Sequence, residues 1–110
     1  MKFALPLADG RLADQFGYCR EFALINVRDS QIRGKEIVAT PRDAASLLPG
    51  WLYGLGADVI IAGGMGNEMQ DRFREKNIVV VTGAPCETPE DLVQRYLDCT
   101  LVTSPNPCGC

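Results

Sequence analysis

The feature that most constrains this chain is a pair of short, unbroken apolar runs. Residues 58–62 read DVIIA and residues 78–81 read IVVV, and a glycine follows each within two residues. Apolar strands without polar alternation belong to a sheet covered on both faces. Between them Asn67 offers an N-cap for a helix from Glu68 to about Lys76, with Met69, Phe73 and the stem of Arg72 turned inward. A strand–helix–strand unit closes through a right-handed crossover and leaves its strands parallel. The chain is therefore expected to build a layered α/β domain.

The remaining segments fit that plan. Residues 2–7 (KFALPL) read as a first strand, which Pro6 assigns to a sheet edge or to the strand's end. Residues 21–27 and 31–39, joined by Arg28-Asp29-Ser30, read as an antiparallel pair. Pro49 suits a first helical turn, Trp51, Leu52 and Leu55 share a face, and Gly56 ends that helix. Thr88 and Asp91 resemble a capping box, with Pro89 at the first helical position and a helix running to about Leu97. The predicted order is β-β-β-α-β-α-β-α, giving three α/β/α layers around a five-stranded mixed sheet.

Charge and histidine content exclude several function classes. The 110 residues carry a formal net charge of -3 with scattered basic residues, which disfavours a nucleic-acid face and a polybasic membrane patch. No run is long enough to span a bilayer, and no signal peptide is legible, so a cytoplasmic location is expected. With no histidine, Ser-His-Asp and Cys-His catalysis are excluded, and so is the commonest nitrogen ligand. Five cysteines in a reducing compartment serve more often as ligands or reactive thiols than as disulfides.

Ligands of an open α/β sheet gather outside the carboxyl ends of its parallel strands. Three loops leave such ends: residues 8–20 with Cys19, residues 63–66, and residues 82–87 with Cys86. Gly63-Gly64-Met65-Gly66 lets backbone approach a ligand, and its N–H groups with the following helix start favour an anion such as an iron–sulfur or thiomolybdate species. The same four residues also serve as a tight strand-to-helix turn, with Met65 either a thioether ligand or a plug. Cys108 and Cys110 close the chain and can hold one soft metal ion. A tetrahedral site needs further ligands, from Cys19, Cys86, a second copy of the chain in a homodimer, or sulfides of the cluster. Cys99, Trp51 and Phe73 read as core.

The stretch Leu48-Pro49-x-Trp51-Leu52-x-x-x-Gly56-Ala57-Asp58-Val59-Ile60-Ile61-Ala62-Gly63-Gly64-Met65-Gly66 resembles the dinitrogenase iron-molybdenum cofactor biosynthesis family. Phe73, Ile78, residues 80–84 (VVTGA), Tyr96-Leu97, Phe16-Gly17 and Asn106-x-Cys108 extend the likeness over nearly the whole chain. The resemblance implies a ribonuclease-H-like three-layer domain over residues 1–103 with a cysteine-bearing tail, 104–110. It also implies binding or carrying of metal–sulfur clusters, including molybdenum and iron species, without catalysis; soft sulfur ligation adds copper(I) to the expected metals, and a cluster donor or acceptor protein is the expected partner. Phe16 and Gly17 join residues 63–66 in the implied cofactor-binding set.

Three departures from the family pattern concern histidine. Gln15 stands where members often carry His before Phe-Gly, Asp43 stands near another such position, and the tail Asn-x-Cys-Asp-His becomes Asn106-Pro107-Cys108-Gly109-Cys110. Either ligation has moved to softer sulfur, or the chain is an interaction or regulatory module that has lost its cluster. A thiol-redox role for the terminal pair is the third reading. A two-metal nuclease is rejected: residues 2–7 hold no acid, and Asp58 opens its strand at the wrong end.

Overall fold

Strand alternation sorts the core into two halves, and that sorting fixes the layers. The computed structural model describes residues 1–8, 10–13, 21–40, 48–85 and 87–98. Its central strand is β1 (Lys2–Ala8). A short hairpin arm, β2 (Arg11–Leu12), folds back on it with Leu7 opposite Leu12. On one flank β1 pairs antiparallel with β3 (Glu21–Arg28), which pairs antiparallel with β4 (Gln31–Ala39). On the other flank β5 (Val59–Ile61) runs parallel to β1, and β6 (Val79–Val81) parallel to β5. The order β4-β3-β1-β5-β6 is the expected five-stranded mixed sheet, with β2 as a sixth, two-residue strand off the path.

Side chains alternate across this sheet with the period of two that a pleat imposes. Ala4, Phe22, Leu24 and Ile60 face the side covered by α1 (Leu48–Gly54) and α2 (Asn67–Glu75), where Leu48, Leu52 and Phe73 complete a buried cluster. Phe3, Leu5, Ala23, Ile25, Val59 and Ile61 face the other side, closed by Leu92 and Val93 of α3 (Pro89–Leu97). Trp51 caps the first cluster edge-on to Phe22, with ring centroids 5.6 Å apart. Tyr96 meets Phe3 in the same way at 5.3 Å. The domain is therefore three-layered, as the sequence order required.

Four local expectations need correction. Pro6 lies inside the central strand, not at an edge: β5 pairs with β1 only at Phe3 and Ala4, so it has ended before Pro6. The Pro6 carbonyl on that flank accepts from Ala13 N at 2.9 Å, and the missing N–H costs no ladder bond. The run at 78–81 is not covered on both faces. It ends the sheet, α3 lies over β3 and β4 instead, and Val79 is 51% exposed. Asn67 is the first helical residue of α2, and Gly66, with no side chain to donate or accept, occupies the cap. Thr88 does cap α3 with Pro89 behind it, but its hydroxyl makes no cap hydrogen bond, so no capping box forms.

Candidate functional site

Because β1, β5 and β6 run parallel, their carboxyl ends share one rim, and backbone hydrogen bonds stitch the loops leaving it. Leu12 N donates to Glu87 O at 3.0 Å, joining the β2 arm to the loop before α3. Gly83 N donates to Gly63 O at 2.7 Å, and Ala84 N to Ala62 O at 3.1 Å, joining that loop to the glycine turn after β5. Gly83 is buried and left-handed at φ +78°, a conformation in which a Cβ is strained. That geometry turns its N–H back onto Gly63.

The glycine turn is graded from inside to outside. Gly63 and Gly64 are buried, Met65 is half-buried with its side chain packed on the α1/α2 core, and Gly66 is exposed. Gly66 has φ -65° and ψ 150°, ordinary extended backbone, and a Cβ built there meets nothing within 4 Å. Neither conformation nor packing requires glycine at that position. Its N–H has no acceptor among the described residues.

Both α2 and α3 begin at this rim, and neither has a side-chain cap. First-turn N–H groups and the positive end of each helix dipole therefore face the loops. Two acidic side chains of those first turns are engaged elsewhere, Glu68 with Arg72 at 2.9 Å and Glu90 with Lys35 of β4; Asp91 is the third acidic residue there. The hydrogen bond from Lys35 holds the Glu90 carboxyl below the usual glutamate range, against a smaller opposing effect of desolvation. Glu87 Oε2 sits 2.7 Å from the Arg95 guanidinium as an ion pair, without hydrogen-bond alignment.

Of the expected site residues, Gly63, Gly64, Met65 and Gly66 stand together at the rim. Phe16, Gly17, Cys19, Cys86, Cys108 and Cys110 lie outside the described residues, as does Cys99. Among the described residues no three His, Cys, Asp or Glu side chains gather to hold a metal ion; none of the five cysteines is among them. Asp58 lies at the opposite end of the sheet, where its Oδ2 accepts from Lys2 N at 2.9 Å. One contact went unnoticed in the sequence. Gln70 Nε2 donates to Met65 O at 3.0 Å, tying the glycine turn to α2. No side-chain spacing signals it, because the partner is a backbone carbonyl five residues earlier.

Known proteins resemble this chain in sequence and in fold. A family model described as "Dinitrogenase iron-molybdenum cofactor" matches residues 1–98. An uncharacterized protein of Methanocaldococcus jannaschii, MJ0580, is 30% identical over 89 residues, covering 73% of this chain and 72% of its own. The crystal structure of PH0822 superposes with a TM-score of 0.89 at 23% identity, covering 96% of each chain. The apo form of the orange protein from Desulfovibrio gigas superposes with a TM-score of 0.75 at 22% identity, covering 97% of this chain and 95% of that one. These two structures share the fold. No helix among the described residues is long and apolar enough to cross a membrane.

Proposed function

The chain belongs to the dinitrogenase iron-molybdenum cofactor family, and from that premise we propose that it binds and carries an anionic metal–sulfur cluster at the rim, without catalysing a reaction. Family membership supports a part in handling a metal-containing cofactor. The observation that carries the cluster reading is Gly66, whose glycine identity the chain's own geometry does not need. A Cβ would project into open space beside an N–H that has no acceptor among the described residues and the uncapped start of α2. A smooth, donor-lined surface of that kind fits a multiply charged anion rather than a bare cation.

Thiolates complete the proposed site. Residues 65 and 66 supply backbone donors, while Cys108 and Cys110 supply soft sulfur, with Cys19 and Cys86 as further thiolate ligands. Reach is sufficient. Helix α3 starts at the rim and brings Tyr96 against Phe3, so its nine residues carry the chain about 13 Å away. From Asp98 to Cys108 is 108 - 98 = 10 residues, about 33 Å of extended chain. The longest dimension of the molecule is 33 Å. Ten extended residues are thus long enough to bring the tail thiols to the glycine turn.

The test is an anaerobic titration with tetrathiomolybdate and Cu(I), read by charge-transfer absorbance and by quenching of Trp51, the single tryptophan. A saturable absorbance that is weakened in Cys108→Ser/Cys110→Ser supports the reading. Wild-type protein that stays colourless with these and with iron plus sulfide refutes it.

A further inference from the structure

Among the described residues one side chain hydrogen-bonds the glycine turn, and that bond decides which way a rim donor points. Gln70 sits on α2 with both ends of its amide engaged. Nε2 donates to Met65 O at 3.0 Å, and Oε1 accepts from Arg74 Nη2 at 3.2 Å. Arg74 is itself paired with Asp71 at 3.3 Å. The guanidinium can only donate, so it selects the amide orientation that leaves the NH2 group for Met65.

The consequence follows from peptide geometry. In a trans peptide the C=O and the following N–H point in opposite directions across a rigid plane. Fixing Met65 O against Gln70 therefore fixes Gly66 N–H away from that face of α2. This is the N–H that lacks an acceptor among the described residues, at the glycine whose missing Cβ leaves open space. We infer that Gln70 is a positioning residue, oriented by Arg74, which aims the Gly66 N–H at the bound anion. The inference rests on the cluster reading for the identity of the ligand, but not for the orientation of the peptide.

The two parts separate experimentally in the full-length protein. Gln70→Met keeps side-chain length, helix propensity and neutrality and removes the donor. In 15N-labelled protein the Gly66 amide resonance is expected to shift, while Ile60 and Ile61 in the core strand stay in place. Gln70→Lys restores an N–H donor of similar reach and is expected to return the Gly66 resonance towards its wild-type position. Affinity of Gln70→Met for tetrathiomolybdate is expected to fall about fivefold, the effect of one misdirected hydrogen bond. An unmoved Gly66 resonance in Gln70→Met overturns the inference, whatever the binding result. So does a moved resonance with undiminished affinity. A wild-type protein that binds no tetrathiomolybdate sinks the cluster reading instead, and the Gly66 resonance then still decides whether Gln70 sets the peptide.

Discussion

Replacing Gly66 by serine should stabilise the protein and weaken ligand binding at the same time. The backbone at φ -65° and ψ 150° is open to any residue, and the new Cβ meets nothing within 4 Å, so no strain is introduced. Serine at the cap of α2 can accept from a first-turn N–H, a gain of a few tenths of a kcal/mol over glycine. Removing glycine's freedom from the unfolded chain adds about 0.4–1 kcal/mol. The sum, about 0.7–1.4 kcal/mol, corresponds to a rise in Tm of about 3–6 °C for a domain of this size. The serine hydroxyl meanwhile takes up a first-turn N–H at the uncapped start of α2 and fills the open space assigned to the anion. Loss of one charge-assisted hydrogen bond alone predicts about tenfold weaker tetrathiomolybdate binding. Thermal melts and an anaerobic absorbance titration on one preparation measure both effects. A stabilised variant that binds as tightly as wild type refutes the assignment of that space to a ligand. Gly83→Ala is the contrast: at φ +78° in a buried position it should cost about 1–2 kcal/mol or more in urea denaturation.

Three further outcomes follow from particular residues. Asp29 and Ser30 turn the β3–β4 hairpin with φ of 53° and 60°, so Ser30→Gly should raise the urea midpoint by about 0.5–1 kcal/mol of stability. The Glu90 carboxyl should titrate below free glutamate by NMR and move back towards it in Lys35→Met. Since its folded pKa is depressed, the pair's small contribution is present above the unfolded value near 4.3 and disappears as pH falls through the folded one. Phe73→Ala, which empties a fully buried position between α2 and the sheet, should cost about 3–5 kcal/mol in the same denaturation assay.

Much of the fold was legible because hydrophobic period and glycine placement act locally. The runs at 58–62 and 78–81 gave parallel neighbours, and Gly56, at φ +86°, ended α1 as its position required. Features set by where a strand lies in the sheet were not legible. Pro6 reads as an edge residue until β5 is known to stop beside Ala4. Four β-branched or aliphatic residues at 78–81 read as buried until α3 is found over β3 and β4, leaving Val79 open. Caps failed differently: Asn67 and Thr88 have suitable side chains, but one residue's shift at α2 and the side-chain geometry at α3 leave both bonds unmade. At the rim, sequence placed the four glycine-turn residues together, because topology alone carries them there. Gln70 was missed since its partner is a backbone carbonyl, which no side-chain pattern records.

The most direct measurement is the metal and acid-labile sulfide content of protein purified without exposure to oxygen. Binding of a metal–sulfur anion by rim donors and cysteine thiolates predicts iron, molybdenum or copper together with sulfide, near stoichiometric and reduced in Cys108→Ser/Cys110→Ser. Protein that emerges free of both, and takes up neither on anaerobic reconstitution, would contradict it.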